Sequence, residues 1–80
     1  MKIPAIKKLV EAHSLETLMA AEAAIVDEQP VAIEVEGDDE GEQLTHVLAA
    51  VWILNHMEDN GTDFKTALRE YTKKVRVSIS

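Results

Sequence analysis

Apolar residues recur at helical spacing along most of the chain. Ile6, Leu9, Val10 and His13 share one face, and Pro4 suits a first helical turn, where its missing N–H is no loss. A first helix is therefore predicted over residues 4–12. Ser14 is placed to cap a second helix, with Glu16 in the first turn, where the helix dipole favours negative charge. Leu15, Leu18, Met19, Ile25 and Val26 then form a stripe interrupted by Glu22. Ala20, Ala21, Ala23 and Ala24 add high helix propensity and allow another helix to approach closely. Pro30 predicts the end of this helix, because it pushes Gln29 toward extended backbone.

The period then changes. Val31, Ile33 and Val35 alternate with Ala32, Glu34 and Glu36 before Gly37, which predicts a half-buried strand over 31–36. A lone strand cannot satisfy its own backbone groups. Two partners present themselves: the alternating run Val75-Arg76-Val77-Ser78-Ile79-Ser80, or the same strand of a second copy.

Asp39 opens a third helix as its cap, with Glu42 three residues on. In a capping box Glu42 reaches back to the Asp39 N–H. From Leu44 to Met57 the apolar residues cover nearly the whole circumference: Leu44, Val47, Leu48, Val51 and Leu54 on one side, Trp52, Ile53 and two alanines on the rest. Such a helix belongs in the middle of a fold or in a subunit interface, so Leu44, Val47, Leu48, Val51, Trp52 and Leu54 are the expected core or interface. Gly61 suits the left-handed position that ends it. Thr62 or Asp63 caps a fourth helix, in which Phe64, Ala67, Leu68, Tyr71 and Val75 share a face. The predicted fold is mainly α: a compact bundle of about four helices with one short strand, 31–36. If that strand pairs with 75–79, the class becomes α+β.

Composition narrows the possible functions. Eighty residues make one small domain, 1–80, with a stability margin of about 3–5 kcal/mol. An apolar fraction of 46% is too high for a disordered chain. Zero cysteines exclude a disulfide framework, an iron–sulfur cluster and a thiol nucleophile. Fifteen acidic against eight basic residues give a net charge of −7, which argues against nucleic acid or anionic membrane as partner. Lys7 and Lys8 break the first apolar run before a signal sequence could form. The longest run, 47–54, is far short of the ~20 residues of a membrane span. The expected location is the cytoplasm.

Candidate chemistry centres on an acidic stretch. Residues 27–42 hold eight carboxylates and no basic residue. One reading is a divalent-cation site built from Asp38, Asp39, Glu40 and Glu42. His46, one turn beyond Glu42, could complete it. Laid against a calcium-binding helix–loop–helix, however, the position that needs a bidentate Glu falls on Val47. The other reading is a solvated segment whose carboxylates cap a helix. His56 lies ten residues beyond His46, roughly 15 Å along the axis, too far to share an ion. Gly37, Gly41 and Gly61 form no phosphate loop, and no serine sits in a nucleophile elbow. No enzyme activity and no cofactor are expected.

Lys2-Ile3-Pro4-Ala5-Ile6-Lys7-Lys8-Leu9, the block from Glu34 to His46 with the Trp52 helix, and Phe64-Lys65-Thr66-Ala67-Leu68-Arg69-Glu70-Tyr71 together resemble a family of short bacterial proteins, a domain of unknown function. The resemblance spans essentially the whole chain and brings no catalytic or ligand residues. It implies a thioredoxin-like partner, because such proteins tend to be encoded beside members of the family. Without cysteine the chain could not itself exchange disulfides. The expectation is a small acidic, non-enzymatic accessory or adaptor protein that acts through protein–protein contact as a homodimer. The alternative is a cation-responsive module using the 36–42 segment.

Overall fold

The computed structural model describes residues 2–79. Among them the chain forms four helices and no strand: α1 Ile3–Ala12, α2 Leu15–Val26, α3 Glu40–Asn60 and α4 Phe64–Ile79. The mainly α bundle is as predicted, and each helix falls within a residue or a few of its predicted place.

Helix α3 is the axis of the fold. It packs against α1, α2 and α4, and its Val47, Ala49, Ala50 and Ile53 are all fully buried. They join Ile6, Leu9 and Val10 from α1, Leu18, Ala21 and Ile25 from α2, and Ala67 from α4 in one core. Three neighbours within the chain thus cover most of the apolar circumference of α3. Of the residues expected in core or interface, Val47 is in the core, whereas Leu48 is 43% exposed and so is not a core residue of the single chain. Leu44, Val51, Trp52 and Leu54 are half-buried.

Local signals set the helix ends. Ser14 Oγ accepts from the Thr17 N–H at 3.2 Å, and Asp63 Oδ1 accepts from the Thr66 N–H at 2.8 Å. The hydrogen bonds from Thr66 hold the Asp63 carboxyl below its usual pKa of 3.8. The depressed value means that this cap supports α4 above that pH and is lost as acid titrates the group. At the end of α3, Gly61 adopts φ 64° and its N–H donates to the Met57 carbonyl at 2.8 Å. A residue without Cβ takes this conformation at no steric cost.

The end of α2 corrects the sequence reading. The helix stops at Val26, not at Pro30. Glu28 takes φ 58°, its N–H donates to Ile25, and the Gln29 N–H donates to Ala24 at 2.8 Å. This is a Schellman motif with glutamate where glycine is usual. Glu28→Gly should therefore raise stability by about 0.5–1 kcal/mol, by relief of left-handed strain. A urea titration would show the midpoint rise; an unchanged or lower midpoint would mean the strain is absorbed elsewhere.

The predicted strand 31–36 is absent among the described residues. The chain bends at Ala32–Ile33, and a bent segment cannot hold a ladder register. The alternation itself persists in burial: Val31, Ile33 and Val35 are half-buried against the core, while Ala32, Glu34 and Glu36 are exposed. The other candidate strand, 75–79, continues α4 as helix, so no pairing between the two exists. Ser80, the last residue of that run, lies outside the described residues. Gly37, near the end of the connection, has φ 156°, and a Cβ there would lie 2.8 Å from the backbone nitrogen of Gln43. The chain passes α3 too closely for any other residue.

Candidate functional site

The acidic segment is built as a helix cap. Asp39 Oδ1 accepts from the Glu42 N–H at 2.7 Å. Glu42 reaches back in return, but to the Asp38 N–H at 3.0 Å, one residue earlier than the capping box predicts. Two of the four candidate carboxylates are thereby committed to backbone donors, and Asp38 and Glu40 are exposed. Among the described residues no group of three or more His, Asp or Glu side chains is arranged to hold a metal ion. Asp39→Ala should cost about 0.5–2 kcal/mol through loss of the cap. The cost should be equal with and without millimolar Ca²⁺ or Mg²⁺ in paired thermal melts. An ion-dependent difference would restore the cation reading.

His46 is fully buried, and its ring joins three parts of the chain. The Lys2 backbone N–H lies 3.0 Å from Nε2, and the Glu36 carbonyl lies 2.7 Å from Nδ1. An amide N–H can only donate and a carbonyl can only accept, so the neutral ring carries its proton on Nδ1. Neither nitrogen keeps a lone pair for a metal, and the Glu42–His46 pair is not an ion site in this state. His46 instead fixes the start of α1 and the end of the 27–39 connection onto α3. Its spacing from Ala50 and Ile53, four and seven residues on, was the sequence signal for a buried position. Polarity masked it. A second link runs between Lys8 Nζ and Glu36 Oε1 at 3.6 Å, both side chains largely exposed, where an ion pair adds little.

A third feature is aromatic. Trp52 stacks on His56 with ring centroids 4.9 Å apart and planes 11° apart, and meets Tyr71 of α4 at 5.6 Å in a tilted arrangement. Such pairs contribute about 0.5–1.5 kcal/mol beyond burial. Burial raises the Tyr71 hydroxyl above its usual pKa. Trp52 is thus a half-buried seam between α3 and α4.

Exposed apolar side chains mark the remaining surface. Met19 is 54% exposed, Val26 61% and Leu48 43%. Val26 lines a shallow concavity with Leu44, Glu28 and Glu40, where the end of α2 meets the start of α3. Leu48 follows Leu44 by one turn of α3, and Met19 precedes Val26 by two turns of α2. No helix among the described residues is long and apolar enough to cross a membrane.

The family profile described as "Family of unknown function (DUF6952)" matches residues 1–80. The chain belongs to DUF6952. No curated protein and no solved structure matches it. In this DUF6952 chain, the three blocks that carry the resemblance form the tethered start of α1, the capped start of α3 with buried His46, and the first turns of α4.

Proposed function

We propose that the protein is a non-enzymatic accessory or adaptor that works through protein–protein contact, and that its contact surface is the α2–α3 face. One observation carries this reading. Met19, Val26 and Leu48 remain exposed on two packed helices, although the other large apolar residues of α3 are at least half covered. Val26 and Leu44 share the concavity between the two helices, and an exposed apolar surface on a small domain, where it is contiguous, marks a contact site more often than an accident of composition. A thioredoxin-like protein is the partner class that the family resemblance implies; a chain without cysteine would bind it rather than exchange disulfides with it.

The test is site-specific photocrosslinking in the native cell from positions 26 and 48, with exposed Glu70 of α4 as control. Positions 26 and 48 should give a shared adduct that Glu70 does not. Val26→Ser with Leu48→Ser should abolish it while each change costs about 1 kcal/mol, too little to unfold the domain. Adducts of equal yield from all three positions would remove the reading.

Charge favours a second reading, the homodimer. Lys65, Arg69, Lys73 and Arg76 are exposed on α4, while residues 27–42 hold eight carboxylates and no basic residue. A two-fold pair can set α4 of each copy against the acidic connection of the other. Light scattering should then give twice the chain mass at low ionic strength and monomer in about 0.5 M salt, where screening is strong.

A further inference from the structure

We infer that the occupant of the α2–α3 face is a cationic amphipathic helix from another protein, an inference that rests on reading this face as the contact surface. Charge is the first argument. Between Lys8 and Lys65 the sequence contains no lysine or arginine, so α2, α3 and their connection carry carboxylates as their fixed charges. Glu28 and Glu40 line the concavity that Val26 and Leu44 share, and half-buried Glu22 sits one turn before Val26 on α2. An apolar concavity edged by carboxylates repels acidic or anionic partners and attracts basic ones. A second copy meeting it with the same face would oppose carboxylates to carboxylates.

Spacing is the second argument. Leu44 and Leu48 are one turn apart, and Met19 and Val26 two turns apart, about 10.5 Å along the axis. An incoming helix presents anchors at i, i+3 or i+4, and i+7 over the same distance. The concavity lies where the two helices meet, so an anchor side chain can enter there. Helix α4 of a second copy supplies cations but not the anchors. Its Ala67 is buried, and its Phe64, Leu68 and Tyr71 pack on its own core.

The probe is a synthetic Lys/Leu peptide of about 18 residues, five helical turns, with leucines at i, i+3, i+4 and i+7. The controls are a scrambled peptide of the same composition and a Glu/Leu peptide of the same pattern. Binding to the full chain is followed by amide ¹⁵N–¹H shifts in physiological salt. The shifts should gather at residues 19–26 and 44–48. Affinity should exceed that of either control at least tenfold, and fall at least tenfold in the V26S/L48S protein. Equal binding of the scrambled peptide would mean mere charge attraction and overturn the inference, as would shifts centred on α4. A dimer in light scattering that V26S/L48S dissociates would name a second copy as occupant and overturn it too. If the peptide fails but crosslinks from positions 26 and 48 still reach a partner, the contact reading stands and the cationic helix falls. If neither position crosslinks, both fall.

Discussion

Ile53→Ala should leave much of the protein unfolded at room temperature. Ile53 is fully buried in α3, the helix that packs against all three others. Removing its branched side chain forfeits the transfer term and leaves a cavity, together about 2–5 kcal/mol. A domain of this size has a margin of about 3–5 kcal/mol, so the loss approaches or exceeds the whole. Leu48→Ala, five residues earlier on the same helix, provides the contrast. Its side chain is 43% exposed, and the change should cost less than about 1 kcal/mol. Urea titrations followed by circular dichroism would compare the two. A midpoint for Ile53→Ala as high as that for Leu48→Ala would mean that α3 is not the centre of the fold.

That contrast also shows what the pattern of residues could convey. The helix caps at Ser14, Asp39 and Gly61 were legible, and that of α4 was narrowed to Thr62 or Asp63, because a cap is a local event, settled by a side chain and an amide three or four residues away. The apolar circumference of α3 was legible too. Which part of it faces solvent was not, because that depends on where α1, α2 and α4 lie around it. Leu48 looks like Val47 in sequence and differs in place.

The strand prediction failed for a related reason. Alternation at 31–36 reports which side chains turn toward the core, and in that respect it holds. It says nothing about where the backbone hydrogen bonds go. A segment laid over a helical bundle shows the same period as one laid in a sheet. At 75–79 the competing factor is cooperativity. Once α4 is nucleated and capped at Asp63, each further residue adds a hydrogen bond at little cost, and β-branched residues are carried into the last turn. Glu42 was placed correctly as a cap partner and missed by one residue, since the Asp38 and Asp39 amides lie within reach of the same carboxylate.

His46→Phe should destabilise the protein by about 2–4 kcal/mol, although it puts an apolar ring of similar size into the core. The reason lies in what the imidazole holds. Helix α1 has no side-chain cap; the Lys2 carbonyl accepts from the Ala5 and Ile6 N–H groups at 3.1 and 3.3 Å. The Lys2 N–H in turn is fixed by His46 Nε2. The tertiary bond therefore does the work that the N3 glutamate of a capping box does elsewhere, satisfying the N–H of the residue that opens the helix. Phenylalanine leaves that N–H and the Glu36 carbonyl without partners, each a loss of about 1–3 kcal/mol if buried. Both groups are partly buried, so water recovers some of it. His46→Gln separates bonding from packing. Its amide offers an acceptor and a donor at about the separation of the two ring nitrogens, and it should cost less than phenylalanine. Hydrogen exchange adds location: in His46→Phe the α1 amides should exchange faster relative to those of α4. If the phenylalanine variant is as stable as the parent, the two hydrogen bonds contribute nothing net, and α1 is held by Ile6, Leu9 and Val10 alone.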